Sequence, residues 1–369
     1  MCEFRSSRLS LFPLISVILV LSAVTLLPSG FSQVPGTLSV SSILLGTDKP
    51  LSMAIDEKSS KMYELFSKST GEKNLINVID INQNKVIDTI KVGSQKSDFL
   101  SSIALDPSRK IIYAIGQHLI DENGTNVAYD TLYVMNSTNN KFKMVELYGE
   151  TEEGKEGSLA GISVNPVTNM IYIGSLYAEG GKPGLYVIDG SSLQPVFVDK
   201  WESGIKDIQL DPESHLLYVG AKYDNLISII DELNNQVIDN ISAPSPIAIT
   251  LNKEEKILYE AGTDGKVNAI DLSNKKIISS IEGEFVKNIM YSPNDKFVYI
   301  IDQNMTNILS KNSAGPKSVV IAVNTTDNQI KKFETDFNLS NIVINSSTNK
   351  AYILGYDGND SKLFIVKPS

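Results

Sequence analysis

The sequence predicts an all-β fold: a seven-bladed β-propeller of four-stranded antiparallel blades, with the ring closed by an N-terminal strand that completes the last blade. Three observations carry this. First, one stretch occurs seven times: apolar residues, a polar turn often built on Asp-Pro or Asn-Pro, then an apolar pair ending in Tyr. The turn opens at Asp56, Asp106, Asn165, Asp211, Asn252, Ser292 and Asn345, and a Tyr follows seven residues after each, at Tyr63, Tyr113, Tyr172, Tyr218, Tyr259, Tyr299 and Tyr352. Second, the apolar period between these landmarks is two, broken by Gly or Pro at intervals of roughly ten residues, which suits short strands and not helices. Third, the final copy has strands for positions a, b and c but none for d, while a single strand stands alone at the front of the chain.

Taken in order, residues 1–32 read as a signal peptide or a membrane anchor. Arg5 and Arg8 precede an uncharged apolar run from Leu9 to Leu27, and the small residues Gly30 and Ser32 suit a peptidase site. A retained anchor with its positive end inside is the alternative. Either way residues 33–369, the propeller, are exported, and an extracellular or cell-surface location is expected. The formal charge is −10, or −11 once Glu3, Arg5 and Arg8 leave with residues 1–32. An acidic chain without a basic run repels nucleic acid and anionic lipid, so no nucleic-acid partner is expected and membrane contact is confined to the N-terminal segment. A monomer is expected. The single cysteine, Cys2, precedes the apolar run, which excludes a disulfide, a thiolate metal site or a thiol nucleophile in the exported part. Sequons at Asn123, Asn136, Asn240, Asn304, Asn324, Asn338, Asn345 and Asn359 are glycosylation candidates in that compartment.

Leu38 to Leu45 carries β-branched and apolar residues and ends at Gly46, as a strand does. In the first repeat Met53–Asp56 is strand a, MYELF (62–66) strand b, Asn74–Asp80 strand c and KVIDTIKVG (85–93) strand d. Strand c recurs in VMN, VID, IID, AID and AVN, ending at Asn136, Asp189, Asp231, Asp271 and Asn324. Strand d recurs at 143–147, 196–200, 236–241, 276–281 and 329–333. The repeat tyrosines lie 50, 59, 46, 41, 40 and 53 residues apart. The shortest spacings match a blade of roughly 40–45 residues, and the surplus elsewhere belongs to loops. After Tyr352 the chain makes strand c, Lys362–Lys367, and stops. SILLGTDKP (42–50) is similar to the d-strand end TIKVGSQK (89–96), so Leu38–Leu45 is expected beside Lys362–Lys367, satisfying an open edge.

The landmarks have physical reasons. Asp or Asn at the a–b turn caps the turn backbone, and Pro after it presets φ. Asp264-Gly265 suits a two-residue hairpin with positive φ. Along strand a, Met53, Ile103, Ile162, Ile208, Ile249, Ile289 and Ile342 are expected between blades. Two columns are expected to face the central channel: Ser52, Ser102, Gly161, Asp207, Ala248, Asn288 and Asn341, then Ala54, Ala104, Ser163, Gln209, Thr250, Met290 and Val343.

These repeats resemble the YVTN-type β-propeller repeat. Tyr218-Val-Gly-Ala and Tyr172-Ile-Gly-Ser stand near its signature, as do Val78-Ile-Asp, Val187-Ile-Asp and Lys91-Val-Gly, over about residues 38–367. The signature Asn is absent from these copies. The resemblance implies a surface location and a binding role, with an unidentified protein or glycan as partner.

Chemistry-bearing residues are sparse. The two histidines are His118, expected to open a long b–c loop (116–130) beside Asp121 and Glu122, and His215, expected in a solvated a–b turn. Trp201 is expected to pack between blades. No sequence suited to zinc proteases, serine hydrolases or phosphate-binding loops occurs, so no catalytic residue and no cofactor is assigned. Calcium is the one metal with candidate ligands, in Asp121-Glu-Asn-Gly124 and Asp357-Gly-Asn-Asp360; neither matches an EF-hand, and both sit where a hairpin turn is due, so no metal residue is assigned. The long insertions 116–130, 148–159 and 175–184 gather on one face. That face, with Glu150, Glu152, Glu153, Tyr177, His118 and Asp121, is the candidate partner-binding surface. The channel mouth, with Ser52, Ser102, Asp207, Asn288 and Asn341, is the second candidate. Three functions follow: a non-enzymatic binding or scaffold protein, a metal-dependent lactonase- or lyase-like enzyme at the channel mouth, and a structural protein of the cell envelope.

Overall fold

The turns set the repeat. In the computed structural model, which describes residues 36–67, 74–92, 98–122, 125–147, 158–176, 183–198, 201–202, 204–304 and 317–368, the fifth residue of every a–b turn is left-handed: Ser60, Lys110, Asn169, His215, Lys256, Lys296 and Asn349, with φ between 54° and 63°. Asp56, Asp106, Asn165, Asp211, Asn252 and Asn345 open these turns and accept a backbone N–H two or three residues on, at 2.9 to 3.3 Å. The c–d turns copy the device with Asp80, Asn136, Asp189, Asp231, Asp271 and Asn324. A helical turn followed by one left-handed residue reverses the chain in register, so each turn makes a hairpin.

The described residues are all-β, without helix, and mostly form four-stranded antiparallel sheets. The first sheet joins β2 (Lys49–Asp56), β3 (Lys61–Ser67), β4 (Leu75–Asp80) and β5 (Lys85–Lys91). The second joins β6 (Phe99–Asp106), β7 (Ile111–Glu122), β8 (Thr125–Asn136) and β9 (Phe142–Glu146). β10 (Ser158–Asn165), β11 (Met170–Leu176), β12 (Gly184–Asp189) and β13 (Pro195–Val198) make the third. The fourth holds β14 (Ile205–Asp211), β15 (Leu216–Ala221), β16 (Leu226–Asp231) and β17 (Gln236–Ser242), and the fifth β18 (Pro246–Asn252), β19 (Ile257–Gly262), β20 (Lys266–Asp271) and β21 (Lys276–Glu282).

The remaining strands are one eight-stranded sheet. It runs β22 (Val286–Ser292), β23 (Phe297–Asn304), β24 (Lys317–Asn324), β25 (Ile330–Thr335), then β1 (Gly36–Gly46), β28 (Ser361–Pro368), β27 (Lys350–Tyr356) and β26 (Asn338–Asn345). β1 lies antiparallel to β28 from Leu38 opposite Pro368 to Gly46 opposite Ser361, the pairing expected from the sequence. Its parallel contact with β25, Gly36 and Thr37 beside Lys331 and Lys332, was not expected and is what merges two four-stranded groups.

Burial between sheets follows from the alternation. The repeat tyrosines are buried, and each pairs with the second-column residue of strand a: Ala54 with Tyr63, Ala104 with Tyr113, Ser163 with Tyr172, and so on to Val343 with Tyr352. Seven apolar clusters each join successive groups of strands. One of them packs Ile43, Leu354, Leu363 and Ile365 against Met53, Met62 and Ile79 of the first sheet. The first strands of the groups adjoin in the order β2, β6, β10, β14, β18, β22, β26, and β26 adjoins β2.

Three local expectations are corrected. Residues 116–130 are mostly paired strand and not loop, because β7 and β8 continue in register from Ile111 opposite Asn136 to Glu122 opposite Thr125. At Asp264-Gly265 only Gly265 has positive φ, 81°, and Thr263, Asp264 and Gly265 all lie between β19 and β20, so the loop is longer than a two-residue hairpin. The third is on the first strands, where a bulge in each overrides the expected alternation.

Candidate binding cavity

Every first strand carries a bulge. The register with its neighbour slips between Pro50 and Ser52, Leu100 and Ser102, Leu159 and Ile162, Ile205 and Asp207, Pro246 and Ala248, Val286 and Asn288, and Leu339 and Ile342. An extra residue breaks strict alternation and re-aims the side chains beside it. Around these bulges lies a cavity of about 420 Å³, lined from all of the first strands.

The five channel-mouth residues Ser52, Ser102, Asp207, Asn288 and Asn341 all line this cavity. The second expected column does not: of it only Gln209, Met290 and Val343 reach the lining. Ala54 packs with Tyr63 in a core, and Thr250 is buried with its hydroxyl accepting Tyr291 N–H at 3.0 Å. Sequence reasoning missed the bulge residues Ser101, Lys206, Ile247 and Lys287, which line the cavity instead. The missed signal is the pair of non-alternating polar residues at Ser101-Ser102, Lys206-Asp207 and Lys287-Asn288.

The lining is polar but its groups are largely engaged. Ser52 and Ser102 hydroxyls meet at 3.2 Å, and Ser52 also accepts Ile103 N–H at 3.3 Å. Asp207 Oδ1 accepts Ile208 N–H at 2.9 Å, and Oδ2 crosses to the next sheet to accept Ile249 N–H at 2.8 Å. Burial pushes the Asp207 carboxyl up, against the pull of Ile249 and Ile208 N–H and of Lys206. Burial lowers the Lys287 ammonium, whose Nζ donates to Asn338 Oδ1. Among the described residues Asn341 Oδ1 is buried with no hydrogen-bond partner.

The other expected site residues do not gather with these. Glu150, Glu152, Glu153, Tyr177 and Asn123 lie outside the described residues, as do residues 1–32. His118 is on strand β7, buried, with Nδ1 2.5 Å from Asp98 Oδ1; it ties the segment before β6 to β7 and does not open a loop. Asp121 pairs opposite Asn126 in the same hairpin. His215 is the left-handed residue of its turn, partly exposed, and Nδ1 lies 3.3 Å from Glu232 Oε2. Trp201 is buried among Tyr172, Leu185 and Ile205 and donates to Ser228 Oγ at 3.0 Å.

In the 357–360 loop, Asp357 Oδ1 accepts N–H from Asn359 at 2.8 Å and Asp360 at 2.7 Å, which is turn capping. Among the described residues no group of three or more His, Cys, Asp or Glu side chains is placed to hold a metal. Of the sequon residues, Asn240, Asn338 and Asn359 are exposed, Asn136 and Asn324 cap c–d turns, and Asn345 is buried as a turn cap. Asn304 ends strand β23. Among the described residues no helix is long and apolar enough to cross a membrane.

No protein-family model and no curated protein sequence matches this chain.

Proposed function

We propose that the chain is an exported or cell-surface seven-bladed β-propeller of the YVTN type, acting as a non-enzymatic binding or scaffold protein. The cyclic order of the first strands and the seating of β1 on β28 support the propeller. The observation that carries the binding reading is the cavity: all the first strands line it, and Asp207, the one carboxylate in its lining among the described residues, accepts a backbone N–H on each oxygen. Each Asp207 oxygen is held by a backbone N–H, which gives the carboxylate a structural task, whereas amides with spare capacity, such as Asn341, suit recognition of a polar ligand. The ligand is a polar group of a protein or glycan, read by Asn288, Asn341 and Ser102.

Screening the purified protein on glycan arrays and by pull-down from cell-surface extracts, with N288A and N341A alongside, tests this. A partner lost in both variants supports the cavity; a partner held equally well by both removes the site from it. The rival reading, a metal-dependent enzyme, requires a cation on the lone pairs that Asp207 keeps beside its bonds to Ile208 and Ile249. Stoichiometric metal in the purified protein, lost in D207N, would replace the binding reading with that one. Cell fractionation tests the location: recovery of the chain in the cytosol alone defeats the exported reading.

A further inference from the structure

A second depression, about 320 Å³, lies beside the central cavity and shares a wall with it. Its lining includes Lys206, Lys222, Lys287, Ile247, Thr263 and Phe285 and, among the described residues, no carboxylate. Three lysines around one hollow stand out in a chain of formal charge −10. Lys206, Ile247 and Lys287 are the extra residues of three successive inner-strand bulges, so the fold places the two lysines there and their mobility does not. Lys222 follows β15, where its N–H donates to Gly204 O at 3.3 Å and its Nζ stands 4.8 Å above the Tyr223 ring. None of the three forms a direct ion pair among the described residues, although Lys206 acts on the Asp207 carboxyl and Lys287 Nζ donates to Asn338 Oδ1. The other lysines in ion pairs, such as Lys253 with Glu213 at 3.0 Å, show that acids are at hand elsewhere on this surface.

The walls are held in place. The buried Asp302 carboxylate accepts N–H from Glu284, Phe285 and Gln303 at 2.8 to 3.2 Å, fixing the turn that carries Phe285 and leads into Lys287 on β22. Gly283 N–H donates to Gly265 O at 2.8 Å, pinning that loop to the 262–265 turn. Gly265 suits this contact, since its φ is 81° and a Cβ would stand 3.0 Å from Glu284 O. Phe285 is 44% exposed at the rim and offers an apolar face.

We propose that this pocket binds a small organic oxyanion, carrying carboxylate, phosphate or sulfate, with the charged group between Lys206, Lys222 and Lys287 and its carbon skeleton on Phe285. Like charges around one hollow repel one another, and an anion relieves that repulsion while gaining charge-assisted hydrogen bonds. The site is distinct from the central cavity, because Lys222 and Phe285 line this pocket alone. The proposal does not rest on the reading of the cavity as a binding site.

The test is calorimetric titration of the purified full-length chain with inorganic phosphate, sulfate, citrate and glucuronate, and with glucose as the uncharged control. Saturable binding of at least one anion is expected, weakened about tenfold or more in K222Q, which removes one charge-assisted contact. Binding should also weaken between about 0.05 M and about 0.5 M salt, and K253Q should bind as the parent does. Phosphate or sulfate binding assigns a phosphorylated or sulfated ligand; binding of citrate or glucuronate alone assigns a carboxylated one. If no anion saturates, if glucose binds equally, or if K222Q binds as tightly as the parent while melting normally, the proposal is wrong. Loss of a cavity ligand in N288A with anion binding retained keeps the two sites apart.

Discussion

At the scale of single residues, two buried glutamates stand out. Glu64 is 1% exposed and accepts Asn77 Nδ2 at 2.8 Å, and Asn77 Oδ1 in turn accepts the Thr89 hydroxyl at 2.8 Å. Glu260, Asn268 and Ser280 repeat the ladder at the same positions of another sheet. Burial pushes the Glu64 carboxyl up to about 7, with the Asn77 bond opposing and Asp48 adding to the rise. Glu260 rises to about 7 for the same first reason, opposed by Asn268 and helped by Asp264. Both folded-state values exceed the unfolded one, so folding takes up protons. Stability is complete below the unfolded value of 4.5 and is lost as pH rises through about 7. E64Q should therefore melt higher than the parent at pH well above 7 and near it at acid pH. The gap grows toward roughly 3 kcal/mol in urea titrations, the upper bound from the shift. A gap independent of pH would show that Glu64 is not the titrating group. A second expectation concerns Lys110, exposed and left-handed with φ 56°. K110G should raise stability by roughly 0.5–1 kcal/mol in denaturant titration, because an L side chain is strained there.

At the scale of elements, sheets are latched through side chains as well as apolar cores. Glu232, at the end of β16, accepts Asn165 Nδ2 at 2.7 Å, the Thr168 hydroxyl at 2.7 Å and the Tyr172 hydroxyl at 2.9 Å, all from the preceding sheet. Burial alone would raise this carboxyl; bonds from Thr168, Asn165, Tyr172 and His215 outweigh it and hold the carboxyl below its ordinary value. Its contribution is present above the unfolded value and is lost as pH falls through the folded one. E232A strands three donors, and should cost about 2–4 kcal/mol at neutral pH with a smaller difference in acid, by urea titration. The outer strands show a second device. β5, β17 and β21 each bulge, placing Ile87, Ile238 and Ile278 outward, which twists an edge away from pairing with another chain.

At the scale of the molecule, β1 holds the ends together. Leu38 enters the core with Leu339, Phe364 and Val366, while Ile43 enters the core that joins β27 and β28 to the first sheet. Residues five apart point to opposite faces of a strand, so one element closes two cores. L38A and I43A should each cost about 2–4 kcal/mol, as buried leucine and isoleucine truncations do. A chain of residues 47–369 should melt several degrees lower, and a peptide of residues 36–46 added in trans should restore part of that loss, since the exposed β28 edge is its template. No shift on adding the peptide would show that β1 is dispensable to the stability of the β28 edge.

Sequence alone determined the repeat, its turns and the partner of the front strand. Each of these is local or periodic: an Asx cap, a left-handed residue and a period of two act within a few residues, and Leu38–Leu45 had the pattern of a missing fourth strand. That Ser52, Ser102, Asp207, Asn288 and Asn341 share one lining was legible for the same reason. Only the tertiary structure decided which inner residues face the cavity, because a bulge inserts one residue and alternation cannot locate it. It likewise decided that His118 lies in a paired hairpin bonded to Asp98, and that Lys206, Lys222 and Lys287 share one hollow. Lysines 16 and 65 residues apart carry no local signal of proximity; the stacking of successive sheets brings them together.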